Sequence, residues 1–243
     1  MSIRKGTVYK LGEHTLACGD CRDSLLVKKL IGNSKISLII ADPPYGVSYV
    51  QSKKGFSKVK KDVVIANDNI DSEDSYRTFT SDFLNSVKPY LSLKNSCYIF
   101  NSDRMIFALK EGMDEAGFKL AQILIWLKNN QVIGRRDYLA KHELIAYGWY
   151  GAHSFFKSKD KSVLYCPKPN KSPLHPTTKP LSLIRMLILN SSKVGDVVYD
   201  PFVGSGTTLI ACEQTGRKCL AIEIDPDYCK VVIDRYKKLK GGI

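Results

Sequence analysis

Two short stretches set chemistry-bearing residues at the abrupt ends of apolar runs. In the first, the run Ile36–Ile40 hands over almost at once to Asp42-Pro43-Pro44-Tyr45. Two prolines end a strand because they lack N–H donors and fix φ, which leaves a carboxylate, two rigid residues and an aromatic ring at its tip. In the second, Asp200-Pro201-Phe202-Val203-Gly204-Ser205-Gly206-Thr207 is a glycine-rich turn opening a helix. Glycines there let the backbone come close to a ligand, and a helix N-terminus offers free N–H groups. Leu209 stands where the dinucleotide fingerprint has its third glycine, and no Gly-Lys-Ser/Thr follows, so the turn is neither that fingerprint nor a P-loop. Roughly 20 residues on, Glu223 ends the next apolar run, where a carboxylate can accept hydrogen bonds from both ribose hydroxyls. Glu223 and Asp225 also stand where a helix cap before Pro226 would stand. The ribose is the favoured partner for Glu223, and both readings remain for Asp225. Gly19-Asp20 is a fourth polar strand end.

The elements that position these residues alternate. "TVYKLGEHTLACGD" reads as a hairpin, "RDSLLVKKLI" as a helix and "KISLIIA" as a strand. Residues 51–62 are lysine-rich and aperiodic, a mobile loop by composition. "SEDSYRTFTSDFLNSVKPYL" is an amphipathic helix capped by Ser72, "SCYIFN" a strand, "DRMIFALKEGMDEAG" a helix closed by Gly117, and "FKLAQILIWLK" a strand. Past Lys128, a loop, the strand "HELIAYGWY" and a Pro-, Ser- and Lys-rich stretch interrupt the rhythm. It resumes with helix "PLSLIRMLILNSS", strand "GDVVYD", helix "GTTLIACEQTG", strand "KCLAIEID" and a closing basic helix. The pattern predicts an α/β fold with a mostly parallel sheet, whose ligands gather at the carboxyl ends of its strands.

Composition narrows the partners. The chain has 243 residues, enough for one substantial core. Its 37 Lys and Arg against 24 Asp and Glu give +13, which favours an anionic partner, nucleic acid ahead of a membrane. Seven cysteines, odd in number and irregular in spacing, suit buried thiols in a reducing compartment. Cys18-Gly-Asp-Cys21 lacks a second pair with ligand spacing, so no metal site is expected. The first residues hold no signal-peptide core, and no run approaches the ~20 apolar residues needed to span a bilayer. A cytoplasmic, nucleoid-associated protein is expected.

"DPPY" followed by "DPFVGSGTT" resembles the amino-methyltransferases of DNA, which move a methyl group from S-adenosylmethionine to an exocyclic nitrogen. The tetrapeptide comes first and the cofactor turn last, as in the family's permuted beta class. "LHPTTKPLSLI" and "WLKNN...GRRDYLAKHELIAYGW" are similar to that class's remaining segments, so the likeness runs from "ACGDC" to "EIDPDY". The resemblance implies a Rossmann-like α/β methyltransferase fold, mostly parallel with one antiparallel strand. It implies a single domain over 1–243 with a small target-recognition insertion at about 128–174.

It also implies roles. An adenine N6 or cytosine N4 amine is a poor nucleophile because its lone pair is delocalised into the ring. Asp42 would accept one amine hydrogen and the Pro43 carbonyl the other, favouring a pyramidal nitrogen in the transition state. Pro44 would keep these acceptors rigid, and Tyr45 would stack on the extruded base. Asp42, Asp200, Phe202, Gly204, Gly206, Thr207 and Glu223 would line the cofactor, with Asp20 and Cys21 at its adenine. Thr178 and Lys179 would hold its carboxylate, a cap and a solvated lysine being their plainer readings. Lys53, Lys54 and Lys58 would track phosphates or simply face water, and Arg135, Arg136 and Tyr138 would lie near the target strand. His153, Phe155, Phe156 and Tyr165 read first as a small satellite core and second as base-stacking groups. No Pro-Cys pair of carbon-5 enzymes is present, Cys166-Pro167 being reversed. The leading Asp tilts the resemblance to adenine N6 in double-stranded DNA over cytosine N4. A silent DNA-binding module and an RNA or protein-amide methyltransferase are the rivals. The resemblance leaves room for a homodimer and a cognate restriction endonuclease.

Overall fold

A computed structural model describes residues 3–44, 72–131, 137–157, 160–167 and 179–241. The lysine-rich segment 51–62 lies outside the described residues. Strands β1 (Val8–Leu11), β2 (His14–Cys18), β3 (Ile36–Ala41), β4 (Leu91–Asn101), β5 (Phe118–Leu127), β6 (His142–Tyr150), β7 (Ala152–His153), β8 (Val163–Tyr165), β9 (Val197–Asp200) and β10 (Lys218–Glu223) form one sheet. Helices α1 (Ser24–Ile31), α2 (Glu73–Val87), α3 (Ile106–Glu115), α4 (Leu181–Ser191), α5 (Thr207–Thr215) and α6 (Pro226–Gly241) cover its two faces.

The strand order is β1-β2-β10-β9-β3-β4-β6-β5-β8, with β7 paired to β4. From β2 to β4 the neighbours are parallel. β6 runs antiparallel to both β4 and β5, the one reversal expected. The edge hairpin adds a second, β1 against β2. β3 sits at the centre, and both its faces are buried past Ser37, which is why Leu38–Ala41 is a continuous apolar run rather than an alternation. Leu38 and Ile40 pack with Leu183, Leu187, Leu209 and Val232 of α4, α5 and α6. Ile39 and Ala41 pack on the other side with Val27, Phe83 and Leu109 of α1, α2 and α3.

Local signals set the element ends. Asp23 caps α1 by accepting from the Leu25 and Leu26 N–H groups, and Ser72 caps α2 in a reciprocal box with Ser75. β4 begins at Leu91, five residues before the stretch its apolar run marks out, because Leu91 pairs with Ile36 and Lys94 with Ala152. The Pro-, Ser- and Lys-rich stretch contributes the short strands β7 and β8. All seven cysteines are free and buried. Among the described residues, no helix is long and apolar enough to cross a membrane.

Candidate active site at the carboxyl ends of the central strands

β3 and β9 are neighbours, so the two motif-bearing strand ends emerge side by side, where the strand order switches between halves of the sheet. Asp42 leaves β3 and meets Lys179, whose Nζ donates to Asp42 Oδ2 at 2.6 Å. Lys179 lies just before α4, and packing of α4 on β3 carries its ammonium over the sheet, 4.9 Å above the Phe100 ring of β4. Its second anionic neighbour is Glu143 Oε2 of β6, at 3.3 Å. Glu143 Oε1 in turn meets Lys128 Nζ at 2.6 Å, and Lys128 lies 5.1 Å above the Trp126 ring of β5. The side chains of both lysines are nearly buried, 6% and 7% exposed. Their stems lie on the apolar floor of Phe100 and Trp126 while the heads pair with carboxylates. Four charges of alternating sign thus cross from β5 to β3, roughly 15 Å at the usual strand spacing. Burial pushes the Glu143 carboxyl up, but the Lys179 and Lys128 charges outweigh it and hold it below the usual carboxylate range.

The glycine turn after β9 is braced from within. Asp200 Oδ1 accepts from the Phe202 N–H at 2.9 Å, and the Val203 N–H donates to the Ile222 carbonyl at 3.0 Å. Gly206, at φ 87°, is in the left-handed region, and a Cβ there would stand 3.1 Å from Val232 Cγ1, so no larger residue fits without displacing α6. Glu223 Oε2 accepts from the Gly204 N–H and Oε1 from the Asp225 N–H, both at 2.9 Å. A carboxylate oxygen has two lone pairs, so both retain a site for a further donor. Burial raises the Glu223 carboxyl against these backbone bonds, and it pushes Asp200 up to about 7, with the Asp42 and Glu223 charges adding to the rise. Asp225 accepts from the Asp227 N–H at 2.8 Å and acts as the cap of α6.

At the end of β2, the Gly19 N–H donates to the Glu223 carbonyl at 2.9 Å, stitching the two strand ends together. Arg22 holds both oxygens of Asp20, with Nη2 at 2.6 Å and Nε at 3.0 and 3.2 Å, and its guanidinium lies 5.2 Å above the Phe79 ring. Burial raises the Asp20 carboxyl, but the Arg22 bonds outweigh it and lower it overall. Cys21 is buried, and its carbonyl accepts from Ser86 Oγ at 2.8 Å. Phe202 packs against Phe83 and Phe79, with ring centres at 5.2 and 5.7 Å.

The structure therefore brings Asp20, Asp42, Lys179, Asp200, Phe202, Gly204, Gly206 and Glu223 to the carboxyl edges of β2, β3, β9 and β10. Pro43 is buried and Pro44 half-buried at the same edge. The Thr207 hydroxyl is turned to Arg235 of α6, whose Nη1 donates to it at 3.2 Å and to the Ser205 carbonyl at 3.0 Å. Tyr138 is exposed between β5 and β6. His153 lies against Trp149, with ring centres 4.6 Å apart, and Phe155 against Tyr147 at 6.1 Å, while Phe155, Phe156 and Tyr165 are exposed. Tyr45, Lys53, Lys54, Lys58, Arg135, Arg136 and Thr178 lie outside the described residues. Sequence reasoning missed Lys128, Glu143 and Arg22. A polar residue breaking an apolar run, as in "WLK" and "HELIA", was the only signal.

A sheet of this order, with a rigid acid after β3, a glycine turn after β9 and a buried acid closing β10, is a Rossmann-like methyltransferase fold. The chain belongs to the DNA methylase family, whose model for N6 and N4 methyltransferases matches residues 36–234. It is similar to the type II methyltransferase M.HinfI of Haemophilus influenzae, 28% identical over 255 residues, covering 93% of this chain and 69% of the relative. M.HpaI of Haemophilus parainfluenzae is 26% identical, with coverages of 88% and 72%. Among solved structures, the M1.HpyAVI–SAM complex superposes with a TM-score of 0.65 at 25% identity, covering 90% of this chain and 98% of that one. The cytosine-N4-specific PvuII DNA methyltransferase shares the fold with a TM-score of 0.71 at 18% identity, covering 99% and 97%.

Proposed function

We propose that the protein transfers a methyl group from S-adenosylmethionine to the N6 amine of adenine in double-stranded DNA, after the base is flipped from the stack. The observation that carries this reading is the Lys179–Asp42 pair at 2.6 Å, which fixes a carboxylate beside the glycine turn. A cationic nucleoside suits the residues present: buried Asp200 and Glu223 provide negative charge and free acceptor sites, and Gly204 and Gly206 leave the turn bare of side chains. S-adenosylmethionine supplies a methyl group activated by its sulfonium.

The chain's own groups do the rest. Asp42 accepts one amine hydrogen and the Pro43 carbonyl accepts the other, so the nitrogen's lone pair turns out of the ring plane toward the methyl carbon. As the new N–C bond forms and the S–C bond breaks, the nitrogen becomes cationic and sheds a proton to Asp42, whose side chain is 27% exposed. Fixed acceptors reorganise little during this step, which is the source of the rate gain. Tyr45 stacks on the flipped base. Residues 128–174 of a single methyltransferase domain read the target, and the charge of +13 supports the DNA backbone as the general partner. Likeness to type II enzymes supports a role beside a cognate restriction endonuclease, in the cytoplasm at the nucleoid.

Incubation with methyl-labelled cofactor and duplex DNA, followed by digestion to nucleosides, tests the assignment. Label in N6-methyl-2′-deoxyadenosine is expected, label in N4-methyl-2′-deoxycytidine would overturn the choice of base, and no label in DNA would overturn the reading. Asp42→Ala should abolish transfer while sparing cofactor binding.

A further inference from the structure

Lys128, Glu143, Lys179 and Asp42 come from four separate places in the sequence, yet they form one charge-balanced row. Among the described residues, Glu143 is the anion that meets both lysines, Lys128 at 2.6 Å and Lys179 at 3.3 Å. Its place is fixed from below, because Glu143 stands opposite Trp126 in the β5–β6 register, and the Trp126 indole N–H donates to the Cys166 carbonyl at 2.8 Å. Lys128 is fixed by its own backbone, whose N–H donates to the Lys141 carbonyl at 2.8 Å. Lys179 is thus pulled by two carboxylates on opposite sides, and its lean toward Asp42 depends on how much of Glu143 is engaged by Lys128.

We propose that Glu143 and Lys128 act as a paired positioning unit for the transfer: together they set where the Lys179 ammonium stands, and through it where Asp42 holds the amine. Neither residue touches the substrate. The inference rests on the reading of Asp42 given above. Removing Glu143 alone takes a carboxylate from between two buried ammonium groups, and Lys179 loses the tether that opposes Asp42. Removing Lys128 alone gives Glu143 wholly to Lys179 and draws the ammonium from Asp42. Removing both returns the row to neutrality with the Lys179–Asp42 pair intact. The two single changes therefore harm transfer, and the double change recovers it. A purely structural buried pair would also recover when both charges go, so positioning is separated from bulk stability by the Lys179–Asp42 contact and by a rate that changes while cofactor affinity does not.

The test uses the full-length protein and the variants Glu143→Gln, Lys128→Met and the double variant. Single-turnover methyl transfer to unmethylated duplex DNA, cofactor affinity by calorimetry and thermal midpoints are measured for each. Each single variant should slow transfer by about tenfold or more, the scale of small misplacements at a reacting centre. Cofactor affinity should stay within about threefold, and the double variant should regain at least half of the logarithmic loss. The Lys128→Met crystal structure should show Lys179 Nζ withdrawn from Asp42, and the Glu143→Gln structure should show it displaced the other way, off the Glu143 side. Unchanged rates, or a double variant slower than both singles, would overturn the proposal, as would a Lys179–Asp42 contact unaltered in both single variants. If the wild-type chain itself labels no DNA, the proposed function falls, and the variant crystal structures still decide the positioning claim. A single variant that does not fold leaves the other single and the double variant to decide it.

Discussion

Replacing Asp200 by Asn tests whether the buried carboxyl at the end of β9 couples donor binding to pH. The carboxyl is 4% exposed, and burial raises it to about 7 against the Thr208 hydroxyl and the Phe202 N–H that favour its charged form. A cationic donor seated on the turn favours the ionised form too. With a midpoint near 7, the ionised share is roughly nine-tenths at pH 8 and one-tenth at pH 6, so apparent donor affinity should fall about tenfold between them. That fall corresponds to about 1.4 kcal/mol. Calorimetry at pH 6, 7 and 8, in buffers of differing ionisation enthalpy, reads both the affinity and the proton released. Asp200→Asn keeps an acceptor for the Phe202 N–H and should flatten the profile. Affinity constant within about twofold across that range, or an equal slope in the Asn variant, would refute the linkage. In the donor-free protein the same raised value contributes stability that is fully present below the unfolded value of about 3.9 and is lost as pH rises through about 7.

Other outcomes follow from the packing. Gly148→Ala would set a Cβ 2.0 Å from the Lys119 carbonyl oxygen, forcing β5 from β6. A loss of about 1–3 kcal/mol is expected, read as a thermal midpoint several degrees lower. Glu223→Gln keeps the shape but turns an NH2 toward one of two backbone N–H groups, an expected loss of about 1–3 kcal/mol with weaker donor binding in calorimetry. Glu143 titrates below its ordinary value in the folded state, so its contribution to stability is present above the unfolded value of about 4.3 and is lost as pH falls through the folded one. Thermal melts from pH 6 downward should show that loss in the wild type and a shallower one in Glu143→Gln.

The motif-bearing strand ends were legible because each obeys a local rule: prolines stop β3, a left-handed glycine opens α5, and Ser72 caps α2. The two-sided burial of β3 was legible from the apolar run Leu38–Ala41. Pairing partners were not. The Trp126–Glu143 register that sets an acid between two lysines is a long-range fact, and a lone Glu in "HELIAYGWY" looks like any half-exposed strand residue. For the same reason Lys179 was read as a cofactor-carboxylate contact or a solvated lysine, and its pairing with Asp42 and Glu143 was not foreseen. Leu91–Lys94 escaped notice because its strand character comes from β3 and β7 rather than from apolar alternation.

The pairing of Ile36 with Val197 has a consequence for how the protein is made. On the ribosome, β3 emerges long before β9, its partner on one flank. Until β9 arrives, β3 exposes a bare hydrogen-bonding edge, and Asp42 and Asp200, whose charges later act on one another, belong to separate regions of the emerging polypeptide. Joins between such distant segments are slow to form. A nascent segment that stops short of β9 therefore holds Asp42 without the glycine turn beside it.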